Sequence, residues 1–215
     1  MGRENRKEAV AALHREQILK AAETLFEKKG VDATTIDDIS AASGYSRRTI
    51  YAYFPDKEDI MHHLVERGLL FLRDRIRDSV KTPDEWMTKC RSILTAMTEY
   101  QRDFPLSLQY VNDTHSAALP TVGELSDTVR RILALGTEIN DLLSTLLEEG
   151  QKNGLVRRDL NPALSVYVLW SGITSFLSLI RTKGEYLMKQ FSLTEQELSK
   201  YGFGQILRSV LEVAV

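Results

Sequence analysis

The chain has 215 residues, 43% of them hydrophobic and 27% charged, with a formal net charge of −2. That balance suits a soluble globular protein with enough apolar residues for a core, and it speaks against a chain that coats nucleic acid through bulk positive charge. One cysteine, Cys90, excludes an internal disulfide and a cysteine-based metal site.

Residues 1–7, with Arg3, Arg6 and Lys7, read as a flexible basic arm without an apolar signal core, which implies a cytoplasmic protein. From Ala9 the pattern is helical. Ile18, Ala22 and Leu25 share a face that Leu19 and Phe26 widen, and Gly30 supplies the left-handed stop. Thr34 is an N-cap residue, and Asp37 three positions on makes a capping-box pair for a short helix, Thr35–Ala42, burying Ile36 and Ile39. Gly44 allows a sharp turn, and Ser46 caps a second short helix. Its inner side is Ile50 and Phe54; its other side carries Arg47, Arg48, Thr49, Tyr51 and Tyr53.

Two short helices across a tight turn form a helix-turn-helix, whose second helix enters the major groove of DNA by its N-terminal end. Arg47 and Arg48 open that helix. Neighbours differ by about 100° around a helical axis, so one is expected at a base edge and the other at a phosphate. An arginine can donate two parallel bonds to guanine. A plain solvated face is the alternative. Residues 1–60 hold 10 Lys and Arg against 11 Asp and Glu, so positive charge here is local.

Residues 15–60 resemble the N-terminal domain of the TetR family of bacterial transcriptional regulators. The helix ending KKG, the TT opening, the turn ASGYS, the aromatic run IYAYF and the following PDKEDI carry the likeness. Ser43 and Tyr45 depart from the family's commoner Ala and Val. By this resemblance Thr35, Ser46, Thr49, Tyr51, Tyr53 and Lys57 are phosphate and sugar anchors; a helix-packing role fits Tyr51 and Tyr53 equally.

Beyond Pro55, Asp56 caps a long helix with Asp59 at its third position; Met61, Leu64, Leu72 and Ile76 mark the buried side, and it runs to Val80. A helix follows from Pro83 to Asp103, broken by Pro105, and a short piece covers Leu106–Val111. Another long helix starts at Pro120 and stops at Asn153-Gly154. Asn161-Pro162 opens an apolar helix to Thr182. Thr194 and Glu197 form a last capping box, for a helix lined by Phe203, Ile206, Leu207, Val210 and Leu211. The expected fold is all-α: an N-terminal three-helix head (residues 1–55, DNA-binding) and a C-terminal body of about six helices (residues 56–215, ligand-binding and dimerisation).

Ala163–Ile180 is 18 residues without a charge, at the lower edge of a membrane span. Its serines, threonine and glycine fit a helix covered by protein better, so no membrane is expected. One side can bury in its own body and the other against a second copy. Paired with Phe203–Leu211 it would build a four-helix homodimer interface, an arrangement the resemblance also implies. A fully buried helix in a monomer is the alternative.

Trp86, Cys90, Ile93, Met97 and Tyr100 recur at 4,3,4,3 spacing, and Tyr167, Trp170, Thr174 and Arg181 make a comparable stripe. Such stripes fit a small-molecule pocket or plain core; the resemblance implies an effector site in this body but not which residues line it, and Tyr110 and His115, on the irregular segment, are expected at its entrance. No metal signature joins His14, His62, His63 and His115, no cofactor is expected, and no P-loop, G-x-S-x-G or H-E-x-x-H motif suggests an enzyme. The expected function is a transcriptional repressor on inverted-repeat double-stranded DNA, released by a small-molecule effector that shifts the helix starting at Asp56. A helical adaptor without specific DNA binding is the alternative.

Overall fold

The structure, a computed structural model, describes residues 3–115 and 125–212, excepting the side chains of residues 3–5 and of His115. Among these residues the helices are α1 (Arg3–Lys29), α2 (Ile36–Ser43), α3 (Arg47–Tyr53), α4 (Lys57–Lys81), α5 (Trp86–Asp103), α6 (Pro105–His115), α7 (Asp127–Lys152), α8 (Pro162–Phe191) and α9 (Glu195–Arg208). The chain is all-α, with one isolated antiparallel bridge among the described residues, between Val156 and Leu211.

Several boundaries differ from expectation, each for a local reason. Residues 3–7 of the expected arm are instead the start of α1, because all of residues 3–8 except Asn5 are good helix formers and none is proline or glycine. The cap of α2 is Thr35 with Asp38, not Thr34 with Asp37: the Thr35 hydroxyl accepts the Asp38 N–H, and Asp38 accepts the Thr35 N–H. Thr34 instead donates its hydroxyl to the Gly30 carbonyl at 2.7 Å. Ile39 is fully buried while Ile36 is only half-buried. Helix α5 starts at Trp86, since Pro83 lies in the preceding bend. Proline at the first position of α6 is tolerated, and that helix is longer than expected. The expected start at Pro120 lies outside the described residues.

Helix α8 runs nine residues past Thr182, to Phe191. Gly184 sits inside it at negative φ, and the stop is Ser192, in the left-handed region at φ 52° with its N–H on the Met188 carbonyl. Helix α9 ends at Arg208, before Val210 and Leu211. There the backbone leaves the helix and pairs with an earlier segment, Arg157 N–H to Val210 O and Glu212 N–H to Leu155 O.

The chain divides into two compact units, Met1–Leu69 with Phe104–Leu133, and Leu70–Asp103 with Ala134–Val215. The first buries Ile18, Ala22 and Phe26 of α1, Ile39 of α2, Ile50 of α3, Phe54, and Ile60, Leu64 and Val65 of α4, all at 2% exposure or less. Fully burying one such large aliphatic or aromatic side chain stabilises by about 1.5–3 kcal/mol, so the two short helices are held by packing rather than by their own propensity.

The second unit buries Leu72, Ile76, Trp86, Tyr100, Ile139, Val166 and Leu177. The Trp86 indole N–H donates to the Leu146 carbonyl at 2.8 Å. Phe176 of α8 lies over Gly202 of α9 and meets Phe203 edge-on with ring centroids 5.4 Å apart. Helix α8 is long and apolar enough to cross a membrane by length and composition alone. One face carries buried Val166, Trp170, Ile173 and Leu177; the opposite face exposes Leu164, Tyr167, Val168 and Leu179.

Candidate nucleic-acid interface and body cavity

The turn between α2 and α3 is built by short polar bonds. Gly44 stands at φ 75° with its N–H on the Ser40 carbonyl. The Ser40 hydroxyl donates to the Tyr45 carbonyl at 2.6 Å, and the Tyr45 N–H reaches the Ser43 hydroxyl at 3.4 Å. Both departures from the family pattern therefore have work in the turn: Ser43 accepts a backbone N–H, and the Tyr45 ring packs on His14 of α1 at 4.9 Å while its hydroxyl donates to Gln17. Ser46 caps α3, its oxygen accepting the Thr49 N–H at 3.1 Å.

On this base α3 exposes Arg47, Arg48 and Tyr51, with Thr49 half-buried. The two arginines differ. Arg47 is clamped by Asp37 of α2 through two parallel bonds, whereas Arg48 is exposed and has no partner among the described residues. Lys29 is likewise paired, with Asp38 at 2.7 Å, and its bond, with those from Thr35, holds the Asp38 carboxyl well below the usual carboxylate range. The one-residue shift of the α2 cap links these facts, since Asp38 serves the cap and Asp37 is left to meet Arg47.

Tyr53 is half-buried, its hydroxyl 3.0 Å from His14 Nδ1 and its ring under the Arg15 guanidinium at 5.4 Å. Lys57 donates to the carbonyls of Asp32 (3.2 Å) and Thr34 (2.9 Å), tying the first turn of α4 to the loop before α2. Thr35 is exposed, with its hydroxyl on Asp38.

The second unit contains a cavity of about 60 Å³ lined by Trp86, Cys90, Ile93, Leu94 and Met97 of α5, Leu143, Leu146 and Leu147 of α7, Val166, Leu169, Trp170 and Ile173 of α8, and Leu207 of α9. No charged side chain is among them. Burial pushes the Cys90 thiol up to about 12.

Residues 18–64 match the family described as bacterial regulatory proteins, tetR family. The HTH-type transcriptional repressor BepR of Brucella suis is 25% identical over 175 residues, 80% of this chain and 83% of that protein. The HTH-type transcriptional regulator YfiR of Bacillus subtilis is 32% identical over 100 residues, a stretch covering 44% of this chain and 48% of YfiR. The fold also matches a solved SmeT–triclosan complex with a TM-score of 0.65 at 18% identity, covering 94% of this chain and 93% of SmeT.

The chain belongs to the TetR family. As a TetR-family member it is a DNA-binding transcriptional regulator. Within that frame the anticipated interface residues fall into two groups. Ser46, Arg47, Arg48, Thr49 and Tyr51 lie together on or beside α3, and Thr35 opens α2. Tyr53 and Lys57 are engaged with other elements of the head. Asp37, His14 and Arg15 were not anticipated; their contacts join residues 10 to 39 positions apart, beyond what any single helical face displays.

Of the residues anticipated for an effector, Trp86, Cys90, Met97 and Trp170 line the cavity. Tyr100 and Thr174 are buried but do not line it, and Tyr167 is exposed, its hydroxyl taking a bond from Asn140 at 3.3 Å. Tyr110 belongs to the first unit, 3.0 Å from His62 Nε2, and the His115 side chain lies outside the described residues. The α7 leucines were not anticipated. Their spacing is a signal that could have found them, since Leu143, Leu146 and Leu147 recur three and four apart.

Proposed function

We propose that this TetR-family regulator is a cytoplasmic homodimeric repressor. Residues 1–55 read an inverted-repeat operator, while residues 56–215 pair two copies and hold a small-molecule effector. The observation that carries the reading is the α2–turn–α3 head, where Arg48 is exposed and unpartnered among the described residues at the end of the helix that enters a groove. Thr35, Ser46, Arg47, Thr49, Tyr51, Tyr53 and Lys57 complete the contact set, mainly to phosphate and sugar.

One head covers half a site, so two must be held together. What supports pairing through α8 and α9 is the exposed apolar face of Leu164, Tyr167 and Val168, with Tyr201 on α9 also exposed. What supports an effector is the apolar cavity; SmeT is a fold relative solved with triclosan. Helix α4 supplies none of the lining residues. Helix α7 supplies three, and the same helix carries Arg131, whose guanidinium pairs with Glu66 of α4. A ligand would thus reach α4, and through Phe54 and Pro55 the recognition helix, by way of α7.

Selection of the intact protein against random duplexes tests the reading. An enriched inverted repeat whose binding collapses in the Arg47→Ala, Arg48→Ala double variant is expected. No enrichment, or binding unchanged in that variant, would refute it.

A further inference from the structure

The cavity between α5, α7, α8 and α9 has chemistry narrow enough to name a ligand class. Its walls are aliphatic carbon, two indoles and two sulfurs. The Trp86 N–H is already donated to the Leu146 carbonyl. The nearby buried cation on α5, Lys89, does not line the space and is held by both carboxylate oxygens of Glu149 at 3.1 Å. The Thr174 hydroxyl donates to the Trp170 carbonyl at 2.9 Å.

A carboxylate or ammonium entering here would leave water without gaining a counter-charge, and burying an unpaired charge is heavily unfavourable. A ring with no ionised group loses nothing comparable and gains apolar contact. Size narrows the class further. The open space, about 60 Å³, is well below the roughly 150 Å³ of an engineered apolar cavity that admits benzene. A ring must therefore displace side chains, and Met97, unbranched and adaptable, is the member best suited to yield.

We propose that this cavity takes a small, uncharged, single-ring hydrophobic molecule and rejects ionised analogues of the same shape. The proposal rests on the effector reading above and adds the ligand's charge and size.

The chain's two tryptophans, Trp86 and Trp170, both line the cavity, so intrinsic fluorescence reports on it directly. Intact wild-type protein is titrated with ethylbenzene, phenylacetate and phenethylamine, a neutral, an anionic and a cationic probe of similar shape, and the thermal midpoint is followed in parallel. Ethylbenzene is expected to change the fluorescence saturably and raise the midpoint, with both charged probes weaker by about 100-fold or more. A difference smaller than tenfold overturns the charge selection while leaving an effector site in place. No binding by any of the three, in protein that still binds its selected duplex, overturns this proposal and the cavity as effector site together. Cys90→Phe, which fills the space, is expected to abolish ethylbenzene binding; unchanged affinity would put the site elsewhere and overturn the assignment. Should that variant not fold, Cys90→Leu makes the same test with less added volume.

Discussion

The Arg47 guanidinium and the Asp37 carboxylate face each other across the turn, Nε and one terminal nitrogen each donating to one carboxylate oxygen. Both side chains are more than half exposed, at 63% and 58%, so the pair adds little to stability, about 0–1 kcal/mol. Its consequence lies in recognition. To reach DNA, Arg47 must release Asp37 or carry it along, and a carboxylate beside the phosphate backbone is repelled.

Arg48 carries no such tie. Arg48→Ala is expected to weaken binding to the selected duplex more than Arg47→Ala does. A bidentate guanine contact is worth about 1–3 kcal/mol per head. Asp37→Asn is expected to free Arg47 for phosphate and to steepen the dependence of log affinity on log salt by about 0.9 per head. Anisotropy titrations across a salt series read both effects. Equal losses from the two arginine variants, with an unchanged slope in Asp37→Asn, would show the pair to be irrelevant to binding.

The pairing of two copies gives a second expectation. Val168 is 63% exposed on the apolar face of α8, beside Leu164 and Tyr167. Val168→Glu leaves the fold intact but places a charge in the proposed interface, so it should shift the protein from dimer to monomer in sedimentation. Operator affinity should fall with it, because two linked heads bind far better than two separate ones. A variant that stays dimeric would move the interface off this face.

The head was more legible in the sequence than the body, for a physical reason. Its signals are short-range: Gly44 at positive φ, Ser46 capping α3, and Ile50 and Phe54 buried one turn apart. Where two threonines offered two registers, the pattern pointed to Thr34 with Asp37 and the structure has Thr35 with Asp38, because Lys29 bonding Asp38 rather than Asp37 is a tertiary contact that no local pattern carries. The body's cavity depends on which faces of four helices converge. Periodicity identified the α5 stripe of Trp86, Cys90 and Met97, but it could not separate lining Trp170 from exposed Tyr167, three residues away on the same helix.

Packing between α8 and α9 offers a stability test. A Cβ added at Gly202 would lie 2.0 Å from the Phe176 ring, with other ring atoms at 2.4 Å. The ring itself is held edge-on by Phe203, so it cannot simply swing away. Gly202→Ala is expected to destabilise the protein by about 1–3 kcal/mol through overpacking, despite alanine's better helix propensity. Gly204→Ala, where an added Cβ meets nothing within 4 Å, is the internal control and should be neutral or slightly stabilising. Urea denaturation of the two variants decides the matter.

His62 sets a pH dependence whose sign follows from burial. It is 8% exposed on α4, with Nε2 3.0 Å from the Tyr110 hydroxyl. Desolvation pushes its pKa below the ordinary 6.5; Glu58, Asp59 and Asp56 oppose this and His63 adds to it. The folded state therefore holds fewer protons at this site than the unfolded chain, and stability is lost as pH falls below 6.5, until the folded pKa is also passed. The slope from this one group is at most about 1.4 kcal/mol per pH unit. Wild type and His62→Gln, compared by denaturation between about pH 7.5 and 5.5, isolate the contribution, because the surrounding carboxylates are common to both. The difference in stability should favour wild type least at the acid end. Parallel curves for the two proteins would mean that His62 titrates as it does in the unfolded chain.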